Sequence, residues 1–164
     1  LKLHKKPIWI KGCAWISDSP TLETRDWDTC VYAKLSAQKA YQQANIRNPR
    51  TDIDFYEIDD TFAYKELQHL EAIGIYKKGM AGRACLHGDL EASGKTPVNV
   101  SGGTLGIGSF LESSGAIRTI EIVKQLRGEA GRRQLKKAGV ALAHSWRGIP
   151  TASGITTIFG SRKN

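Results

Sequence analysis

With 164 residues, 40% of them hydrophobic, the chain is of single-domain size and has enough apolar material for a buried core, so it need not be a mini-protein held by staples. Lys and Arg number 24 against 16 Asp and Glu, a formal net charge of +8, and mean hydropathy is −0.35, which excludes a disordered or collagen-like chain. No apolar run approaches the ~20 residues of a membrane-spanning helix, and no signal-type leader opens the sequence, so a cytoplasmic protein is expected.

The chain begins at Leu1 with a basic segment, Leu1 to Lys6, that runs straight into strand-like sequence, as expected of one piece of a longer polypeptide. Pro7 to Ile16, rich in β-branched and aromatic residues, predicts a strand closed by the turn residues Asp18 to Pro20. From Asp26 to Ala44 the spacing of Trp27, Val31, Leu35 and Ala40 predicts a helix with Asp26 or Asp28 as N-cap. Asp52 to Ile58 predicts a strand in which Ile53 and Phe55 alternate with acids. It leads into a helix from Thr61 to Ile73, opened by Asp59 and Asp60 and stopped by Gly74.

Residues 79–96, with Gly79, Gly82, Gly88 and Gly94 among charges, predict an exposed excursion. Pro97 to Val100 then predicts a short strand, Ser101 to Gly108 a glycine-rich loop, and the sequence up to Arg127 a long helix with Ala116, Ile120 and Val123 on its apolar face. Two last strands, Gly139 to Ser145 and Gly154 to Gly160, flank a turn containing Pro150 and should pair antiparallel. The order β-α-β-α-β-α-β-β predicts a single layered α/β domain over 1–164, its mixed sheet covered by helices, with 1–25 as leading strand and loop.

Few residues carry evident chemistry. The glycine-rich loop matches neither the phosphate-loop pattern, since no Lys follows, nor the dinucleotide fingerprint, whose third glycine would fall on Leu111. Its glycines suit close backbone approach to a substrate or a neighbouring helix. His4, His69, His87 and His144 lie at no metal-ligand spacing with other ligands, and Cys13, Cys30 and Cys85 form no Cys-x-x-Cys pair, so no metal is expected and the thiols should be reduced and mostly buried. His144 and Ser145 end a strand, where α/β active sites gather, although a structural histidine is the plainer reading. Arg118 to Lys137 holds seven basic residues against Glu121 and Glu129 and reads as a solvated helix face.

Four segments, YEIDDTFAYKELQHLEAIGI, PVNVSGGTLGIGS, IEIVKQLRGEAGRRQ and ALAHSWRG, occur in this order between Pro7 and Phe159. Together they resemble the C-terminal half of the thiolase superfamily, in its archaeal and sterol-carrier-type branch. The resemblance implies one of two similar α/β halves, each with a five-stranded mixed sheet, in enzymes that make or break carbon–carbon bonds beside an acyl-CoA thioester. By the same resemblance the family's helix-opening Asn or His falls on Asp59. Its Gly-His-Pro falls on Gly108-Ser109-Phe110 and its Cys-x-Gly on Ser145-Trp146-Arg147, while Asn99, Gly102 and Gly103 are retained. Asp59, Ser109 and Ser145 are thus the positional equivalents of catalytic residues, and Asn99, Gly102, Gly103 and Gly108 are candidates for substrate binding.

A Ser at the base position and an Asp where an oxyanion needs stabilising are unsuited to the usual Claisen chemistry. The resemblance therefore implies a divergent acyl-CoA acyltransferase or aldolase of lipid metabolism, incomplete and inactive alone, or a non-catalytic subunit serving dimerisation or partner binding. Coenzyme A would enter only as part of the substrate, with no separate cofactor. The implied partners are an acyl-CoA, a thiolase-like N-terminal half or sister subunit, a second copy in a homo-oligomer, and an acyl-CoA-binding protein of OB-fold and zinc-ribbon type. Neither nucleic acid nor membrane is expected as a partner.

Overall fold

A computed structural model describes residues 6–148 and 152–163 of the chain; His4 and the turn at Pro150 lie outside them. Four strands form one open sheet in the order β1-β4-β3-β2, with β1 at Trp9–Ser17, β2 at Phe55–Ile58, β3 at Val140–Arg147 and β4 at Ser153–Gly160. β4 runs antiparallel to both neighbours, and β2 lies parallel to β3. Where the fifth strand is expected, Val98 makes only an isolated parallel bridge to Tyr56, because Pro97 lacks the N–H a longer ladder would use.

Helix α1, Val31–Ala44, covers one face of the sheet and starts later than the sequence predicts. Asp26 spends its carboxylate on a turn, accepting the N–H groups of Asp28 and Thr29 at 2.9 and 3.2 Å and the Thr29 hydroxyl at 2.6 Å. The buried side of α1 agrees with the expected one at Ala40 but otherwise differs: Ala33, Ala37 and Ala44 face inward with it, whereas Leu35 and Trp27 are exposed. Small side chains let α1 lie close to β1, and at Gly12 an added Cβ would press into the Ala40 carbonyl.

The short helix α2, Pro49–Asp52, is capped by Asn48, so the predicted strand begins only at Phe55. Helix α3, Ala63–Ala72, packs Leu70 and His69 inward and ends at Gly74 with φ +83°, as a left-handed stop requires. The 79–96 stretch is not wholly an excursion. It contains α4, Ala81–Leu86, whose Ala81 and Ala84 join the core beside α3. The glycine-rich segment likewise forms a five-residue helix, α5, Gly103–Ile107.

Helix α6, Ser114–Arg127, covers β2 and β3 on the opposite face. Its buried side carries Arg118, Glu121, Ile122, Gln125 and Leu126, while Ile120 and Ala116 of the predicted apolar face are exposed. Two of the three cysteines are exposed rather than buried: Cys13 lies on the edge strand and Cys85 on the outer side of α4, and only Cys30 is enclosed.

Candidate active site

Strand ends at one edge of the sheet open into a cleft of about 630 Å³. Asp59 and Thr61 enter it from the turn after β2, Ser145 and Trp146 from the end of β3, and Ser153 and Ile155 from the start of β4. The segment leading into α6 contributes Ser109, Leu111 and Ser114, and α6 itself Gly115, Arg118 and Thr119. Gly115 permits this approach, because a Cβ there would sit 3.1 Å from the Ser145 hydroxyl oxygen. Three residues far apart in sequence, Asp59, Ser109 and Ser145, therefore share one wall-to-wall space. Its position outside the strand ends is where open α/β sheets bind ligands.

Arg118 organises the cleft, and the reading of its segment as a solvated face does not extend to it. Only 3% exposed, its guanidinium lies 3.0 Å from an Asp59 carboxylate oxygen and 3.8 Å from one of Asp60. It also donates to the Ser145 hydroxyl at 3.3 Å and to the Thr104 hydroxyl at 2.8 Å. The sequence signal was a polar stripe, Arg118, Glu121 and Gln125 at i, i+3 and i+7. Periodicity alone cannot tell such a stripe from a solvent-facing one. Burial is tolerated because each member has partners: Glu121 pairs with Arg133 at 2.7 Å, and Gln125 donates to the Arg133 carbonyl at 2.7 Å.

Asp59 and Asp60 do not cap α3, contrary to expectation. Asp59 accepts the Thr61 N–H at 3.1 Å and its hydroxyl at 2.8 Å, in a turn ahead of the helix. Asp60, also buried, accepts the N–H groups of Thr104 at 2.7 Å and Leu105 at 3.1 Å. The donors of the glycine-rich segment thus go to an internal anion, and Gly103, packed against that carboxylate, leaves no room for a side chain. Asn99 accepts the Ile58 N–H at 2.7 Å and donates to Glu66 at 2.7 Å, bracing the end of β2.

Asn99, Gly102, Gly103 and Gly108 are not among the residues lining the cleft; Gly103 and Gly108 line a small recess behind Arg118. Ser109, at the exposed rim, accepts the Leu111 N–H at 3.4 Å.

Three buried groups near the cleft are displaced from their ordinary titration. Burial pushes the Glu57 carboxyl up to about 7, against the opposing effect of hydrogen bonds from the Ser101 hydroxyl at 2.6 Å and N–H at 3.1 Å. On the other face, burial holds His69 down at about 4 and His144 well below its usual range. The two rings are 4.7 Å apart. His69 bridges the Tyr32 hydroxyl and the Asp59 carbonyl at 3.0 and 3.1 Å, and His144 meets the Thr156 hydroxyl at 3.0 Å. Among the described residues no group of three His, Cys, Asp or Glu could hold a metal ion, and no helix is long and apolar enough to cross a membrane.

A mixed open sheet packed between helices, with a hydroxyl-lined cleft outside its strand ends, defines the class as an open-sheet α/β domain. Residues 16–161 match the thiolase C-terminal domain-like family, and the chain belongs to it. It is 34% identical over 140 residues to an acetyl-CoA acetyltransferase of Methanothermobacter thermautotrophicus, covering 85% of this chain and 36% of that protein. It is 38% identical over 147 residues to sterol carrier protein 2 of Oryctolagus cuniculus, covering 87% and 26%.

Among solved structures, an Ltp2-ChsH2(DUF35) aldolase superposes with a TM-score of 0.82 at 26% identity, covering 98% of this chain and 41% of that one. A monomeric SCP2-thiolase-like protein of Mycobacterium smegmatis, at 16% identity and a TM-score of 0.66 over 96% and 30%, shares the fold. The chain spans well under half the length of each of these relatives.

Proposed function

We propose that the cleft receives the thioester end of an acyl-CoA, as one part of a divergent acyltransferase or aldolase acting on carbon–carbon bonds. The observation that carries this reading is the meeting of Asp59, Ser109 and Ser145 around Arg118 in one cleft. It is supported by kinship to proteins described as an acetyl-CoA acetyltransferase and an aldolase. The Arg118 guanidinium offsets the Asp59 carboxylate, whose charge alone would repel a developing oxyanion. Because Ser145 accepts from Arg118, its own O–H is left to donate, and it is the group best placed to hold a thioester carbonyl oxygen. Ser109, a hydroxyl at the rim, lines the entry and is a poor general base.

The cleft is half-built from this chain. Trp15 at 66% exposure and Ile155 form an open wall on the sheet face that α6 leaves uncovered. The remainder of a thiolase-like protein, an N-terminal half or sister subunit, would close it. A second copy, or a separate acyl-CoA-binding protein, is the further partner this open wall would suit. The chain by itself is expected to show no thiolysis of acetoacetyl-CoA.

Calorimetric titration of the chain with acetyl-CoA, free CoA and a DNA duplex tests the reading. Acetyl-CoA should bind more tightly than CoA, and Ser145→Ala should remove that difference. Equal binding of CoA and acetyl-CoA, or duplex binding without either, would refute it. The alternative of a non-catalytic subunit gains support if acetyl-CoA binds but no turnover appears when a matching N-terminal half is added.

A further inference from the structure

The charge of the chain is unevenly placed, and the fold sharpens this into a surface. No acidic residue follows Glu129 in the sequence. The register brings the start of β1, the start of β3 and the end of β4 together, pairing Trp9 and Val140 each with Gly160. That end of the sheet is opposite the cleft, which lies at Ser145 and Ser153. Around it stand Lys6, Arg127, Arg162 and Lys163, all exposed except the half-buried Arg127. Arg127 reaches the start of β1 by donating to the Lys6 carbonyl at 3.0 Å, and the aliphatic part of Lys11 packs over Gly160.

The acids within reach offset only part of this charge; Glu129, two residues past Arg127, is exposed among them. Asp54 is taken by Lys137 at 2.6 Å and by the N–H groups of Gly139 and Val140. Glu121 is buried and held by Arg133. Within the same basic ring, Trp9 is 36% and Ile10 67% exposed, and the Lys163 ammonium sits 5.2 Å from the centre of the Trp9 ring. Successive strand residues point to opposite sides, so these two apolar side chains flank the end of β1 rather than one face of it.

We infer that this end of the domain docks on an anionic lipid bilayer, end-on, with Trp9 and Ile10 in the headgroup region and the surrounding lysines and arginines against lipid phosphates and carboxylates. A tryptophan beside an aliphatic residue, ringed by long basic side chains that can keep their charge in water, is the composition an interfacial contact needs. Nucleic acid is the poorer match: single strands are held by series of open aromatic platforms, whereas here one ring is already covered by Lys163 and its neighbour is an isoleucine. Docking this way turns the cleft toward the aqueous side, since the two lie at opposite ends of the strands.

Co-sedimentation of the 164-residue chain with phosphatidylcholine vesicles, with and without phosphatidylserine, tests the inference. Binding should require phosphatidylserine and should weaken as ionic strength rises from about 0.05 to 0.3 M. Each basic residue near such a surface is worth roughly fivefold in affinity, so K6Q/R162Q/K163Q should weaken binding on the order of 100-fold, with circular dichroism unchanged. Ile10→Ser should weaken it further at constant charge. Binding to both vesicle types alike, no binding at low salt, or the triple variant behaving as the parent would overturn the inference. So would retention of a DNA or RNA duplex by the same lysines without vesicle binding.

Discussion

The two faces of the sheet are built on different principles. Beneath α1 and α3 the core is a continuous apolar cluster of alanines, Ile53, Ile58, Leu70 and Leu142, interrupted by two neutral histidines. Beneath α6 the apolar cluster is small, with Phe55, Ile122, Leu126 and Phe159 at its centre, and the space toward the strand ends is filled by Glu57, Asp59, Asp60, Arg118 and Glu121. The first face holds the fold by area, and the second holds a set of charges that must all be partnered at once. The cleft opens on the second. Stability and the candidate chemistry are thus drawn from opposite sides of one four-stranded sheet.

Arg118 is where this difference should break most visibly. Arg118→Met keeps much of the volume but leaves Asp59 and Asp60 without their buried cation, a loss of about 3–5 kcal/mol that urea denaturation would measure. A change under 1 kcal/mol would mean that the charges on this face are hydrated and independent. The two faces should also respond to pH in opposite directions.

His69 titrates near 6.5 when unfolded and about 4 when folded, so stability on its face is present above 6.5 and falls as pH drops toward 4, by about 3 kcal/mol in full. Glu57 titrates near 4.5 unfolded and about 7 folded, so its contribution is present below 4.5 and falls as pH rises toward 7, by a similar amount. Between pH 4.5 and 6.5 the two slopes oppose each other, and His144, also held below its usual range, adds to that of His69, so the parent's stability should rise with pH there. Glu57→Gln should steepen the acid-side loss, and replacing both histidines, His69→Gln with His144→Gln, should expose the alkaline-side one, at up to about 1.4 kcal/mol per pH unit per group. Parallel pH profiles for both variants would refute the opposition. A smaller effect belongs to the apolar face: Gly12→Ala forces a methyl against the Ala40 carbonyl and should cost about 1–3 kcal/mol.

This contrast also explains what the sequence disclosed. The order of strands and helices, the antiparallel final pair and the stop at Gly74 follow from periodicity and glycine chemistry, which are local. On α1 Leu35 misleads, because it outweighs Ala33 and Ala37 on any hydropathy count, while the geometry rewards small residues against Gly12. Asp59, Ser109 and Ser145 were reachable through a resemblance of motifs. Arg118 was not, since a buried cation and a solvated one have the same letter and spacing, and only the approach of the β2–α3 turn decides between them. The destination of Asp60 was hidden for the same reason: its partners, Thr104 and Leu105, lie more than forty residues away.

The smallest effect concerns Asn99, which joins the two descriptions. It has φ +50°, and its side chain is fully engaged, accepting from Ile58 and donating to Glu66, so it fastens the end of β2 from which Asp59 projects. Asn99→Gly keeps the left-handed backbone accessible and removes only the two hydrogen bonds, at a cost of about 1 kcal/mol. If Asn99 acts by bracing β2, hydrogen exchange at the Ile58 amide should quicken while acetyl-CoA affinity changes by less than about threefold, under ~1 kcal/mol. Should affinity instead fall by about tenfold, ~1.4 kcal/mol, with exchange at Ile58 unchanged, Asn99 touches the ligand. In that case the side chain must leave Glu66 when acyl-CoA arrives, and the cleft of the free chain is a closed form of the one that binds.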